Sequence, residues 1–473
     1  MFLDREQELA FLNSLLKQPR SAAQMVLLYG RRRVGKTLLA RTWAERSGHP
    51  IFYWAAERET APLQRRKLFA KILGVPMSQA PAFESWTDLW TAFAAQVGDR
   101  PHILILDEVP QAAEADPAFL SALQHAWDQN FKNSRLYLLL SGSHVHTMET
   151  LLTHGSPLFG RFTGQWHLQP LPFSAVRHFL PRWPADQRVA VYAILGGVPA
   201  YLERLRADLS LTENLREVVL SPGSIFVAEP DLLLFDEVRE PRVYRTILQA
   251  IGGGAQTLDE VANAALIGKS HLSAYLTRLQ ELRLVERRLP ATVPLGKRLR
   301  SRVGRYHLAD PFLRFFFRFI APRQDEIGYQ PERVLSDIQD RLRAFVATAF
   351  EVLCREWVSR ASRARRLPFE VEFTGAHWSR GVQVNVVGIN WRKKAILLGE
   401  CKWRPEAVAR DVVAELVEDK TPRVLRVLPE AGRGWAVYYA LFARRGFTPA
   451  ARRLAQTHRA ALVDLKQLDR ELE

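Results

Sequence analysis

The sequence predicts an α/β protein in several segments: a mainly parallel sheet covered by helices, a helical lid, a winged helix, and a second α/β unit toward the C-terminal end. Three observations predict it. Strand and helix patterns alternate through residues 1–170, as in a parallel sheet whose crossovers are helices. The apolar run Met25-Val26-Leu27-Leu28-Tyr29 feeds into a glycine-rich loop and then a helix. From residue 241 three short helical patterns precede two strand patterns, and strand and helix patterns resume after residue 341. At 473 residues the chain has length for about three domains of roughly 150 residues each.

Taken in order, the candidate strands of the first segment are Met25–Tyr29, Ile51–Trp54, Ile103–Leu106, Leu136–Leu140 and Trp166–Leu168, with helices such as Phe119–Phe131 between them. Residues 171–240 read as a small helical lid, entered through Pro170, Pro172, Pro181 and Pro184. Residues 241–320 read as a winged helix. Its helices are Val243–Ile251, ended by Gly252-Gly253-Gly254, then Leu258–Ala265, then His271–Leu282 in the recognition position. Gly268-Lys269-Ser270 is the turn before that third helix, with Ser270 as its N-cap. Leu284–Arg287 and Gly304–Leu308 are the wing strands. The polar stretch 321–340 reads as a linker, and residues 341–473 as the second α/β unit. The phenylalanines Phe312, Phe315, Phe316, Phe317 and Phe319 recur at helical spacing and read as core.

The glycine-rich loop carries the strongest chemical signal. Gly30-Arg31-Arg32-Arg33-Val34-Gly35-Lys36-Thr37, closed by Leu38 at the helix start, matches G-x-x-x-x-G-K-[ST] at every position. Such a loop wraps backbone N–H groups around a phosphate at a helix N-terminus. Lys36 is expected to reach the β- and γ-phosphates of ATP, and the Thr37 hydroxyl to hold Mg²⁺. About 70 residues on, the apolar strand Ile103-Leu104-Ile105-Leu106 delivers Asp107 and Glu108. Asp107 is expected to ligate Mg²⁺, and Glu108 to orient and polarise the attacking water. Ser141 or Ser143, at the end of the next strand, stands where a polar sensor would face the γ-phosphate, and a plain turn is the equal alternative. Arg161, in Pro157-Leu158-Phe159-Gly160-Arg161, is either an arginine finger or a structural arginine. Gly196-Gly197-Val198-Pro199 fixes a turn in the lid, with Pro199 against the nucleotide base or at an ordinary helix break.

Composition narrows the remaining classes. With 47% hydrophobic and 25% charged residues the chain has the make-up of a folded protein. No apolar run reaches the ~18 residues that span a bilayer, and Met1–Glu6 lacks the pattern of a secretory signal. The only cysteines are Cys354 and Cys401, too few for a disulfide framework, so a reducing cytoplasm is expected. The net charge of +16 is unevenly placed. Residues 1–240 carry 25 basic and 25 acidic side chains, residues 241–330 carry 15 and 7, and residues 341–473 carry 25 and 15. The basic half after residue 240 points to a polyanion, DNA above all, as partner. Lys269 and Arg278 on the third helix, and Lys297, Arg298, Arg300 and Arg302 in the wing loop, are the candidate contacts.

Several stretches together resemble the archaeal-type ATPase family, of the AAA+/STAND branch of P-loop NTPases. They are Phe2–Leu9, Tyr29–Thr37, Leu106-Asp107-Glu108, Pro157–Arg161 and Gly196–Pro199. The resemblance covers about residues 1–240. It implies a RecA/AAA-type core with ATP and Mg²⁺, a helical lid and a following winged helix. It also implies that Arg5-Glu6 lies near the adenine pocket, and that the protein switches slowly and assembles with itself in the ATP state.

The resemblance continues beyond the lid. His307-Leu308-Ala309-Asp310-Pro311-Phe312-Leu313-Arg314-Phe315 is similar to the family's linker signature, and residues 341–473 resemble a PD-(D/E)XK, restriction-endonuclease-like domain. Glu351 on a helix, Asn385 on a strand, and Glu400 and Lys402 on the next strand match that pattern in outline. Period-two alternation puts Glu400 and Lys402 on one face. Position 385, where the pattern has Asp, is Asn, and Gln383 beside it is also neutral. A hard divalent cation is held less tightly without that charge and acidifies its water less. The expectation is therefore an ATP-hydrolysing protein that couples nucleotide state to DNA binding, with a degenerate nuclease-like domain. The alternative is a STAND-type regulatory switch or scaffold whose C-terminal domain is a docking surface.

Overall fold

Five strands build the first sheet: β1 (Gln24–Tyr29), β2 (Ile51–Ala55), β3 (His102–Asp107), β4 (Leu136–Gly142) and β5 (Gly164–His167). The description rests on a computed structural model that covers residues 3–17, 23–97, 100–238 and 240–473. All neighbours in the sheet are parallel, in the order β2-β3-β4-β1-β5. Parallel strands are buried on both faces, and β1, β3 and β4 are apolar on both. Leu27, Leu104, Leu106, Leu138 and Leu140 face one core together with Trp86, Trp90 and Phe93. Val26, Leu28, Ile103, Ile105 and Leu139 face the other, against Leu39 and Trp43 of the helix Lys36–Ser47. The loop between β1 and that helix opens at the carboxyl end of the sheet, where α/β folds place their ligands.

The chain divides into two units, Met1–Leu171 with Val198–Ala200, and Pro172–Gly197 with Tyr201–Glu473. The second unit begins with helical segments, among them Ala185–Leu195 and Ile225–Glu237. Val189, Ala190 and Ala193 share a core with Val346, Ala349, Phe350 and Leu353 of the 33-residue helix Pro331–Arg363. Next come the helices Pro241–Gly253, Leu258–Ala265 and Lys269–Glu281, and an antiparallel ribbon of β6 (Val285–Arg288) and β7 (Arg305–Leu308). Thr257 and Glu260 form a reciprocal capping box at the second of these helices.

Two sequence expectations change here. Ser270 is not an N-cap: Gly268 holds the extended cap position, and Lys269 and Ser270 already lie in the helix. Residues 321–340 are not a linker: Ala321–Gly328 is helical, and Pro331–Arg363 runs straight through residue 340. Pro331 takes the first turn, where its missing N–H costs nothing. Val334, Leu335 and Ile338 are buried at helical spacing within an otherwise polar stretch.

The second sheet contains β8 (Phe373–Ser379), β9 (Val382–Asn390), β10 (Ala395–Lys402), β11 (Ala436–Ala443) and β12 (Ala461–Asp464), in the order β12-β11-β10-β9-β8. The strands β10, β11 and β12 are parallel, and β8–β9 and β9–β10 are antiparallel. The long helix packs on one face, with Val386, Leu397 and Phe442. Val412, Val413, Leu416 and Ala451 cover the other, with Val387, Ile396 and Leu398. The phenylalanines of 312–319 are all buried.

Candidate functional site

The loop between β1 and its helix is built on two glycines with different reasons. A Cβ on Gly30 would stand 2.4 Å from the Leu168 carbonyl oxygen, so only glycine lets the loop leave the strand there. Gly35, at φ 94°, takes a left-handed conformation at the helix N-cap. Arg5 clamps this loop from the N-terminal side. It donates to the carbonyls of Val34 at 3.0 Å and Gln169 at 2.9 Å, and pairs with Glu8 at 2.9 Å. Phe2, in the motif that Arg5 belongs to, lies outside the described residues.

Lys36 is buried, and its Nζ donates to the carbonyls of Gly30 at 2.8 Å and Arg31 at 3.0 Å. Burial pulls its pKa below the ordinary lysine value, while Glu108 and Asp107 pull the other way. Thr37 Oγ1 donates to Asp107 Oδ2 at 2.7 Å. A hydroxyl and a carboxylate side by side are the hard oxygen donors that Mg²⁺ prefers. Tyr53 donates to the same oxygen at 3.1 Å, and its own pKa is raised, by burial first and Asp107 second. Glu108 has φ 52°, uncommon for a residue with a side chain. Its Oε2 accepts from Ser143 N at 3.1 Å and Ser143 Oγ at 2.9 Å. The two candidate serines thus differ: Ser143 holds Glu108, whereas Ser141 Oγ is buried without a hydrogen-bond partner among the described residues.

Arg161 bonds to other partners. Its guanidinium forks onto Asp128, Nε to Oδ1 at 3.0 Å and Nη2 to Oδ2 at 2.6 Å, and also donates to the Pro157 and Phe159 carbonyls. Pro199 opens the short helix Pro199–Leu202, and Val198–Ala200 groups with the first unit. Arg31, Arg32, Arg33 and Val34 complete the loop, with Arg33 at φ 68°, and Leu38 lies in the first turn of the helix that follows.

A second polar cluster lies in the C-terminal sheet. Asn385 Nδ2 donates to Glu351 Oε1 at 2.7 Å, across from helix to strand. The register between β8 and β9 slips at this point, from Gly375 opposite Val387 to His377 opposite Val384. Such a bulge disrupts the ladder locally, and Asn385 lies within the slipped stretch of β9. On β10, Lys402 Nζ donates to Glu400 Oε1 at 3.1 Å, and Lys420 Nζ to Glu400 Oε2 at 2.9 Å. Burial raises the Glu351 pKa, Arg355 lowers it in part, and Glu400 adds to the rise. Arg355 lies 3.8 Å from Glu351 and donates to the Asn385 carbonyl at 2.7 Å. Arg355 was legible four residues after Glu351 on one helix; Lys420 and Tyr53 left no signal, because only tertiary packing brings them in.

The basic candidates separate into two kinds. Lys269 pairs with Asp259 at 2.8 Å and Arg278 with Glu281 at 3.0 Å. Lys297, Arg300 and Arg302 are exposed, while Arg298 turns inward over the Phe373 ring, 4.2 Å from its centroid.

A parallel sheet in this order, with a G-x-x-x-x-G-K-T loop after β1 and an Asp-Glu pair ending β3, defines a nucleotide-binding P-loop NTPase. A family model for an ATPase domain found predominantly in Archaea matches residues 2–205. A second model, of archaeal and bacterial proteins of unknown function, matches residues 316–413. An uncharacterized protein of Methanocaldococcus jannaschii is 32% identical over 408 residues, covering 85% of this chain and 88% of that one. An uncharacterized ATP-binding protein of the same organism is 47% identical over 45 residues, 10% of this chain and 73% of its own. The chain belongs to the archaeal-type ATPase family. Among solved structures, a Walker-type ATPase of Pyrococcus abyssi is similar at a TM-score of 0.47 and 20% identity, over 67% of this chain and 96% of that one. The ORC2 protein of Aeropyrum pernix is similar at 0.43 and 16%, over 72% and 95%. No helix among the described residues is long and apolar enough to cross a membrane.

Proposed function

We propose that the protein hydrolyses ATP and couples its nucleotide state to DNA binding by the basic half after residue 240. The observation that carries the first part is the juxtaposition at the β3 end: Thr37 on Asp107 at 2.7 Å, and Glu108 held by Ser143. Lys36 neutralises the β- and γ-phosphates, and the oxygens of Thr37 and Asp107 hold Mg²⁺. Bound Mg²⁺ supplies charge neutralisation at the transferring phosphoryl group. Glu108 accepts a hydrogen bond from the attacking water and orients it, and its two bonds from Ser143 fix the carboxylate for that role.

Residues 241–320 act as a winged helix. The exposed Lys297, Arg300 and Arg302 contact duplex phosphates, and Lys269 and Arg278 contribute less, because carboxylates already neutralise them. Residues 341–473 act as a nuclease-like domain without cleavage. Asn385 donates its amide to Glu351, so the position offers one neutral oxygen where a carboxylate would give charge. The segments 1–170, 171–240, 241–320 and 341–473 serve as core, lid, winged helix and nuclease-like domain, and self-assembly in the ATP state belongs to the same reading.

ATP turnover measured with and without duplex DNA tests it. Glu108→Gln should bind ATP and stop hydrolysing; turnover at the unaltered rate removes Glu108 from its role. DNA should stimulate the unaltered chain. Slow turnover insensitive to DNA would make it a switch or scaffold instead. Replacing Lys297, Arg300 and Arg302 by Ala should weaken duplex binding and flatten its salt dependence by about 0.9 for each phosphate no longer neutralised.

A further inference from the structure

The second unit contains a cleft of about 930 Å³, open between the β6–β7 ribbon and the β8–β9 face of the C-terminal sheet. Eight arginines line it against three carboxylates, Glu286, Asp340 and Glu351. Glu286 is spent on Arg288, and Glu351 faces Arg355. Two of the arginines carry sealed donors that no polar group among the described residues meets. Arg314 makes no side-chain hydrogen bond or ion pair among those residues, and its Nε is sealed from solvent without one. Arg298 Nη1 is sealed in the same way. Arg305 lies over the Trp378 ring, 4.9 Å from its centroid, and its charge helps hold the Glu260 carboxyl below its ordinary pKa. Guanidinium groups gathered like this repel each other and leave donors unmatched, which costs free energy unless an anion completes the site. The field shows in its neighbours. Burial and the charges of Arg288, Arg314, Arg305 and Arg355 push His307 down to about 3, and burial and Arg288 push Arg314 to about 10.

Aromatic rings alternate with these cations. Phe373 lies under Arg298 and Trp378 under Arg305, both on β8 at the cleft wall. Positive charge along a groove, with rings on which bases stack, is the chemistry that recognises single-stranded nucleic acid. We propose that this cleft binds one strand of nucleic acid, its phosphodiesters on Arg298, Arg305 and Arg314 and its bases against Phe373 and Trp378. The volume suits a few nucleotides of one strand, without the second strand that a duplex brings. Glu351 and Gln383 line the same cleft, so the strand runs toward the Glu351–Asn385 pair. The proposal rests on the reading that this half of the chain binds nucleic acid, and adds a site distinct from the exposed wing loop.

The test uses the full chain and fluorescence anisotropy with a labelled 12-nucleotide oligothymidylate and, separately, a 12-base-pair duplex. The double variant Arg305→Ala/Arg314→Ala should weaken oligothymidylate binding at least tenfold. It should flatten the salt slope by about 1.4, two phosphates at roughly 0.7 each, and change duplex affinity less than twofold. Its melting temperature without nucleic acid should hold or rise, since unmatched cations are removed; an arginine serving only structure would lower it. Trp378→Ala removes no positive charge and should cost roughly tenfold. Unchanged oligothymidylate affinity in both variants overturns the proposal. So does displacement of the oligonucleotide by thymidine monophosphate at equal affinity, which would make this a mononucleotide site. Duplex binding without oligothymidylate binding overturns the strand site alone; binding to neither removes the underlying reading as well.

Discussion

Ser141 and Ser143 are two residues apart, and the difference between them is a matter of single atoms. Ser143 Oγ holds Glu108, while Ser141 Oγ is buried with nothing among the described residues to bond. Ser143→Ala should leave ATP affinity unchanged and lower the hydrolysis rate about tenfold, because the carboxylate keeps only the backbone N–H of residue 143. Ser141→Ala should leave the rate intact and raise stability by about 1 kcal/mol, the cost of an unmatched buried hydroxyl. Steady-state turnover and thermal unfolding of both variants check this; equal loss of rate in both would return the sensor role to Ser141. His307 gives a pH signature at the same scale. Its folded pKa is depressed from 6.5 to about 3, by burial first and then by Arg288, Arg314, Arg305 and Arg355. Below pH 6.5 the unfolded chain takes up a proton that the folded chain refuses. Stability should therefore fall as pH drops from about 6.5 toward 3, by at most about 1.4 kcal/mol per pH unit for one proton. His307→Gln should remove that slope; the same slope in the variant would assign it to other groups.

Among the elements, the helix Pro331–Arg363 does the most to organise the second unit. It packs on the helix Ala185–Leu195 and on the second sheet, and it carries Glu351 and Arg355. Its first ten residues look polar and irregular in sequence, yet Ile338 is fully buried. Ile338→Ala should cost about 2–4 kcal/mol by chemical denaturation, as a buried side chain does. A linker residue would cost almost nothing, so a change within about 0.5 kcal/mol would restore the linker reading. The ribbon β6–β7 and strand β8 matter for a different reason. Each is short, but together they set arginines opposite rings, which neither could do alone.

At the scale of the whole molecule the chain is electrically divided, neutral through residue 240 and basic beyond it. The nucleotide loop lies in the neutral part, where burial, Arg32 and Arg31 oppose the charged form of Lys36 and Glu108 and Asp107 favour it. Saturating ATP should then raise the melting temperature, because binding to the folded state adds about 2.7 kcal/mol of stability at a hundredfold excess over Kd. Lys36→Ala should abolish that shift while leaving the nucleotide-free melting temperature within a few degrees. A full shift in the variant would mean that the triphosphate binds without this loop.

The sequence alone determined the first sheet and its loop. Uninterrupted apolar runs such as Ile103–Leu106 form buried parallel strands, and G-x-x-x-x-G-K-T is a local motif whose glycines and lysine work within one turn. It also determined that Glu400 and Lys402 share a face, because alternation on a strand is a local rule. Tertiary structure decided the rest. The mostly polar stretch 331–340 is helical with its apolar Val334, Leu335 and Ile338 buried by packing that the sequence does not display. Arg161 meets Asp128, 33 residues away, and Lys420 meets Glu400 from a separate helix. The arginine cleft as a whole has no trace in sequence: Arg298 reads there as part of the wing loop, Arg355 as a helix neighbour of Glu351, and nothing links either to Arg305 and Arg314. Long-range packing turns them toward one another, and charge repulsion across such distances has no local pattern to read.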